Sequence, residues 1–222
     1  MQRIEFKIDI HRSNKNIFFD FLRDNKFSKL YEDRLINSIY FDNDKFEMYH
    51  DSIEGLSPRK KIRLRFYGDK KKFSKQNELL FEKKYTNFNG RSKISKKIKD
   101  FDNKLKYGLL DSKYGICYPR TIVSYLRSYQ TSKDFRVTMD TNIFFESYNS
   151  ENPIHNFVSN DEIIVEIKTN DINRIDDLKK NFPFSEIRFS KYCKSVESLY
   201  KIWKNLNFDY FLCSIIDICF NT

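Results

Sequence analysis

Glu5-Phe6-Lys7, Arg63-Leu64-Arg65, Glu82-Lys83-Lys84 and Glu166-Ile167-Lys168 each carry a charged side chain at every second position, and most of those charges are cationic. Alternate residues of a strand point to the same face. Each pair therefore lands on one wall, roughly 7 Å apart, while the opposite wall is mainly apolar. Arg91, Lys93, Arg127 and Arg136 lie in further segments of this kind. Cations in excess, with a few carboxylates among them, are what a chain of phosphates and its metal ion require. Two like charges at 4 Å repel by about 4 kcal/mol at an effective dielectric of 20. Walls of this sort turned inward need an enclosed anion: a triphosphate, a polyphosphate or several smaller ions. The bland alternative is the wet side of an open sheet. Surface strands, however, usually mix Ser, Thr, Gln and both charge signs, and Arg-x-Arg and Glu-x-Lys would not be expected to recur.

Glu5, Glu82 and Glu166 are the candidate metal ligands, because Mg²⁺ and Mn²⁺ prefer carboxylate and phosphate oxygens. For Glu5 and Glu82 an ion pair with a neighbouring lysine competes with that role. Glu166 is the best candidate: it sits in the apolar run Ile163-Ile164-Val165-Glu166-Ile167, where an isolated carboxylate is costly.

The elements that must hold these residues are mostly strands. Ile4, Phe6, Ile8 and Ile10 alternate with Glu5, Lys7, Asp9 and His11, a strict period of two. Ser13 offers a cap to a helix ending near Asn25, with Ile17, Phe18, Phe21 and Leu22 on one face. Strands are expected at Leu35 to Phe41, Lys61 to Tyr67 and Leu79 to Tyr85. The last of these turns through Asn87-Phe88-Asn89-Gly90 into Arg91-Ser92-Lys93-Ile94 as a hairpin. Lys96 to Leu110 has helical periodicity. Strands follow from Pro119 to about Tyr129, from Phe135 to Asp140 and from Asp161 to Lys168. A helix is expected over Asp171 to Asn181, a short strand at Ile187 to Phe189, and a final amphipathic helix over Lys194 to Asn205. Eight strands close into a barrel just wide enough for one small ligand.

The 222 residues suit one domain, 1–222, of α+β class dominated by antiparallel strands. Lys plus Arg number 41 against 31 Asp plus Glu, a formal net charge of +10, which favours polyanionic partners. Cys117, Cys193, Cys213 and Cys219 form no C-x-x-C pair and read as reduced thiols. His11, His50 and His155 suggest no triad. The N-terminus reads straight into a strand, with no signal peptide. No apolar run is long enough to span a bilayer; Phe208 to Phe220 is interrupted by Asp209 and Asp217. The expected location is the cytoplasm, with membrane association only through a partner. Glycine-rich phosphate loops and the G-x-S-x-G elbow are absent, so any nucleotide must be held by side chains. The lysine run Lys70-Lys71-Lys72 and the helix lysines Lys96-Lys97 read as solvated surface.

The ordered series Glu5-x-Lys7, Ser38-Ile39-Tyr40-Phe41-Asp42, Arg59 to Tyr67, Glu82-x-Lys84, Pro119 to Arg127, Arg136 to Asp140, Val165 to Lys168 and Phe189-Ser190-Lys191-Tyr192 resembles the VTC (vacuolar transporter chaperone) catalytic domain. It covers nearly the whole chain in the right order. The resemblance implies a triphosphate tunnel metalloenzyme: an antiparallel eight-stranded tunnel barrel with flanking helices, making inorganic polyphosphate from ATP with Mn²⁺ or Mg²⁺. It puts Lys7, Arg63, Arg65, Lys84, Arg127, Arg136, Lys168 and Lys191 on the reacting phosphates, with Lys93, Arg188 and Ser190 as further phosphate contacts and Glu166 on the metal; Arg91, from its strand face, is one more candidate phosphate contact. Arg188 stands where the family places a lysine, and Arg replaces the charge but not the compact geometry. Relatives with the same tunnel hydrolyse tripolyphosphate or thiamine triphosphate, which is the alternative activity. The expected partners are ATP and polyphosphate, with a membrane protein to receive the product and without nucleic acid. The inositol-phosphate-sensing domain and membrane helices of eukaryotic members have no counterpart in the 222 residues, so regulation and export do not carry over.

Overall fold

The computed structural model describes residues 4–69, 79–88, 90–99, 101–148, 155–157, 162–171, 178, 182 and 184–199. Its ten strands are β1 (Ile4–His11), β2 (Ser28–Asp42), β3 (Arg59–Tyr67), β4 (Leu79–Asn87), β5 (Gly90–Ile98), β6 (Leu109–Asp111), β7 (Gly115–Thr131), β8 (Phe135–Ser147), β9 (His155–Phe157) and β10 (Glu162–Thr169). Three helices lie between them: α1 (Lys15–Asp24), α2 (Glu47–Glu54) and α3 (Asp102–Tyr107). A fourth, α4, covers 191–199. Eight strands form one antiparallel path, β1-β10-β8-β7-β2-β3-β4-β5, with β6 beside β7 and β9 beside β8.

The expected closed barrel is corrected in one respect. Among the described residues no ladder joins β1 to β5. The seam is crossed by side chains and one loop instead. Arg91 of β5 lies 3.8 Å from Glu5 of β1. The Ile187 N–H donates to the Lys7 carbonyl at 2.7 Å, and the Lys7 ammonium donates to the Phe189 carbonyl at 2.9 Å. The physical reason lies in β5. Its residues from Arg91 to Lys97 are exposed on both faces and rich in lysine, the composition that keeps an edge strand hydrated and unpaired. The expected strand at Ile187 to Phe189 is correspondingly only this single backbone contact, not a ladder.

Register fixes which wall faces in, since a one-residue slip would invert every side chain. Glu5 pairs with Lys168 and Lys7 with Glu166; Glu166 pairs with Thr138 and Lys168 with Arg136; Arg127 pairs with Asp140. On the other half Ser38 pairs with Arg65 and Tyr40 with Arg63, Arg63 with Glu82, and Lys84 with Lys93. The ionic positions therefore stay on one continuous face round the path. The opposite face of β1, β8 and β10 buries Phe6, Ile8, Ile10, Val137, Met139, Ile163, Val165 and Ile167 against Phe18, Phe21 and Leu22 of α1. Each such side chain contributes about 1.5–3 kcal/mol when fully buried. A second core lies under α2, α3 and α4, around Ile62, Leu64, Met48, Phe101, Tyr192 and Val196.

Several elements differ from the sequence expectation. Lys96 to Leu110 is not one helix: β5 continues to Ile98, α3 covers only Asp102–Tyr107, and β6 begins at Leu109. Lys96 and Lys97 are thus strand residues, paired with Phe81 and Leu80. Gly108 makes the break, at φ +80°, where a Cβ would lie 2.8 Å from the Cys117 carbonyl oxygen; only glycine fits such an approach at positive φ. Most of the expected helix 171–181, the run Lys70 to Lys72, the later part of the last helix, and Cys213, Cys219 and 208–220 fall outside the described residues. Among the described residues no helix is long and apolar enough to cross a membrane.

Candidate functional site

The inward wall is an incompletely neutralised ionic surface. Glu82 is its most committed carboxylate, with a side chain 1% exposed. It accepts from Arg63 Nε at 2.6 Å and from Lys93 at 2.5 Å, with Arg65 Nε 3.7 Å away. Burial alone would raise its pKa, but the Arg63 and Arg65 charges outweigh that and hold it at about 2. Arg63 also donates to the Tyr40 hydroxyl at 3.0 Å. Burial would likewise raise the Tyr40 phenol, yet Arg63, Arg65 and Lys191 bring it below its ordinary value.

A second cluster centres on Asp140. Arg127 forks onto it with bonds of 2.6 and 2.7 Å, and Lys191 of α4 donates to the same carboxylate. Desolvation opposes ionisation here too, and the Lys191 and Arg127 charges overcome it. Helix α4 reaches this wall because its first turn is tied down from several strands. Tyr192 stacks on Tyr40 at 5.1 Å and donates to Asp42, Lys61 donates to Ser190 Oγ at 2.8 Å, and Ser195 meets Thr121 at 2.9 Å. Asp42 in turn accepts from the backbone N–H groups of Asn43, Met48 and Tyr49, so one buried carboxylate joins β2, α2 and α4.

A third group holds Glu166, Lys168, Glu5 and Lys7. Lys168 bridges Glu166 and Glu5, the latter at 3.4 Å, and Lys7 lies 3.6 Å from Glu5. Glu166 is therefore not the isolated carboxylate its apolar strand suggests. Burial disfavours its charge, but Lys168 and then Lys7 hold its pKa below the usual carboxylate range.

What remains unpaired is as informative. Among the described residues, Ser38 Oγ, Arg65 Nε and Thr138 Oγ1 are buried without a hydrogen-bond partner and all face inward by register, and Ser57 Oγ, before β3, is the fourth such atom. Lys84 has no carboxylate within 4 Å among the described residues. Enclosure by the sheet lowers its pKa well below the ordinary value, and Arg63 adds to the effect. Its side chain nonetheless has exposed surface, the combination expected of a lysine lining a wetted lumen. The carboxylates Glu5, Glu82, Asp140 and Glu166 are too few for the cations beside them.

Of the expected site residues, Lys7, Arg63, Arg65, Lys84, Lys93, Arg127, Arg136, Lys168 and Lys191 share this wall; Arg91 sits at its seam, and Ser190 joins it through Lys61. Arg188 does not. It is exposed and donates to the Ser52 carbonyl in the last turn of α2 at 2.8 Å, where a cation complements the helix dipole. The three glutamates do not converge either: the described residues contain no group of three or more His, Cys, Asp or Glu able to hold a metal. Glu82 is occupied by Arg63 and Lys93. Glu166 and Glu5, both within reach of Lys168, remain as carboxylate oxygen donors. That donor set fits a divalent ion, since Mg²⁺-type sites use one or two carboxylates and complete their shell with phosphates. Asp140, Tyr40, Lys61, Ser38 and Thr138 belong to the wall and were not among the expected site residues. The strand alternation that found Arg136 also places Thr138 and Asp140 beside it.

A shallow cleft of about 240 Å³ lies beside the seam, lined by Pro58, Arg59, Lys60, Tyr85, Thr86, Asn87 and Lys113. Its cations are all engaged. Lys60 donates to both Asp111 oxygens at 2.9 Å, Lys113 to Asp51 at 2.6 Å, and Arg59 to the Gly55 and Leu56 carbonyls.

The sequence matches the VTC domain family over residues 2–115 and again over 106–200. The chain belongs to the VTC domain family. No curated protein matches it. Among solved structures the VTC chain is similar to a putative adenylate cyclase from Vibrio parahaemolyticus (13% identity, TM-score 0.53, covering 88% of this chain and 98% of that one). It is also similar to a putative adenylyl cyclase from Hippeastrum described as having a dominant triphosphatase activity (14%, TM-score 0.54, 89% and 96%), and to a protein of Pyrococcus horikoshii (13%, TM-score 0.51, 90% and 99%). At these identities the likeness is one of fold: this VTC domain shares the architecture of an antiparallel sheet of about eight strands with a few helices.

Proposed function

We propose that this VTC domain is a polyphosphate polymerase that transfers the γ-phosphoryl group of ATP to a growing inorganic polyphosphate chain. The observation that carries the reading is the inward wall: buried donors without partners (Arg65 Nε, Ser38, Thr138) beside cations that outnumber their carboxylates. A polyanion seated there accepts the orphan hydrogen bonds, each worth about 1.5–3 kcal/mol when one partner is charged. The membership of the VTC family supports phosphoryl transfer as the chemistry.

In this reading a terminal phosphate oxygen of the chain attacks the γ-phosphorus, a new P–O–P bond forms, the bond to the β-phosphate bridging oxygen breaks, and ADP leaves with the electron pair. The nucleophile is already ionised near neutral pH, so no strong general base is needed. Arg63, Arg65 and Lys84 neutralise the phosphate oxygens, Arg127 and Lys191 are held in place by Asp140, and Lys7 and Lys168 face the same ligand. Positioning and charge neutralisation of this kind dominate phosphoryl transfer. Glu166 and Glu5 would hold a divalent ion, which would supply further charge neutralisation to the phosphates.

The decisive experiment incubates the purified protein with ATP and Mn²⁺ or Mg²⁺ and resolves the products. Long polyphosphate with stoichiometric ADP is the expected result. Orthophosphate alone overturns polymerisation in favour of hydrolysis; a dominant triphosphatase activity is described for the Hippeastrum neighbour.

A further inference from the structure

Where β2 begins, β3 ends, and β7 and β8 meet at their turn, the rim of the inward wall changes character. Residues 28–35 of β2 are mostly exposed and the strand becomes buried only from Ile36. On this rim Tyr31 is paired with Tyr129, their rings edge to face at 5.6 Å and 83°. The Arg34 guanidinium lies 5.3 Å from the Tyr31 ring and 5.8 Å from Tyr129. Arg136, the register partner of Lys168, lies 5.8 and 5.7 Å from the same two rings. Neither arginine has a carboxylate within 4 Å among the described residues. Tyr129 is 6% exposed, but Tyr31 and the neighbouring Tyr67 are each 45% exposed. Two flat cations and an accessible ring thus stand directly beside the phosphate-binding wall.

We infer that this rim is the nucleobase site of the lumen: the base of a nucleoside triphosphate stacks on Tyr31 and the Arg34 plane while its phosphates run inward past Arg136 towards Lys168, Thr138 and Arg65. The inference rests on the triphosphate reading of the lumen. Its chemistry is specific in kind but not in base. Every base has a π-face for an aromatic ring or guanidinium, and the rim offers stacking surfaces in preference to a set of directed hydrogen bonds. Purine and pyrimidine triphosphates therefore bind with affinities ordered by stacking strength, and inorganic tripolyphosphate, which has no base, forgoes the rim altogether. The competing account is that Tyr31, Arg34 and Tyr129 only brace the β2–β7 ladder, where the register shifts on either side of Tyr31.

Calorimetric binding of ATP and of inorganic tripolyphosphate to wild type, Tyr31→Ala and Tyr31→Phe separates the two. Stacking of one base on an aromatic side chain is worth about 5- to 150-fold in affinity. Y31A should weaken ATP about tenfold while changing tripolyphosphate by less than about twofold, and Y31F should bind both as wild type does. Equal weakening of both ligands by Y31A, or no change in either, overturns the inference and leaves the lumen reading standing. Failure of the wild type to bind tripolyphosphate overturns the lumen reading itself, and this inference with it.

Discussion

The inward wall and the outer cleft beside the seam are built from the same residue types, yet they are finished differently. In the cleft every cation has a partner: Lys60 holds Asp111, Lys113 holds Asp51, and Arg59 closes on two carbonyls. On the wall, Arg65 keeps an Nε without a hydrogen bond and Lys84 has no carboxylate within 4 Å among the described residues, whereas Arg63 and Arg127 close by each bond a carboxylate. The difference teaches that a cationic surface is a binding surface only where its charges are left over after the protein has paired its own. In the cleft, removing a charge costs stability. On the wall, under the proposed function, removing a charge without a full set of partners costs ligand affinity.

The largest effect that would break this contrast is in the cleft. Lys60→Ala leaves Asp111, whose side chain is 2% exposed, with Lys83 at 4.0 Å as its remaining cation. Breaking a buried pair in this way costs roughly 3–5 kcal/mol. Urea unfolding should register that loss, with tripolyphosphate affinity unchanged. Next is the acid limb of stability. The folded-state pKa of Glu82 is depressed from 4.5 to about 2, so its stabilisation is complete above the unfolded value and is lost as pH falls from about 4.5 towards 2. The whole effect is about 3 kcal/mol. Unfolding measured between pH 6 and 2.5 should steepen through that window, and Glu82→Gln should be less stable at pH 6 and flatter below it.

Arg65→Ala sharpens the other side of the comparison. Tripolyphosphate binding should weaken roughly 10- to 100-fold, the value of a hydrogen bond to a charged partner, while stability shifts by less than about 1 kcal/mol because Glu82 keeps Arg63 and Lys93. A large loss of stability with intact binding would place Arg65 with the structural cations. The smallest effect concerns Lys84. Its pKa is lowered, first by desolvation and then by Arg63, and a bound polyanion raises it again. Triphosphate binding should therefore take up protons and weaken as pH rises, which calorimetry in buffers of different ionisation enthalpy detects. Lys84→Met should abolish the uptake.

Much of this protein is legible residue by residue. The alternation of Ile4 to His11, Lys61 to Tyr67 and Ile163 to Lys168 determines strands with one ionic wall, because a period of two fixes the face of each side chain regardless of what lies beyond it. It also identifies Lys7, Arg63, Arg65, Lys84, Arg127 and Lys168 as members of that wall. The tertiary structure decides how those walls meet. Only the ladder order brings Arg91 to Glu5 across an unpaired seam, turns Arg188 away onto α2, and separates Glu82 from Glu166 and Glu5. Only packing supplies Asp140 with both Arg127 and Lys191, residues far apart in the chain. The physical reason is range: the face a residue occupies is set within two positions of it, whereas whether its charge is neutralised depends on partners up to 182 residues away, as between Lys7 and the carbonyl of Phe189.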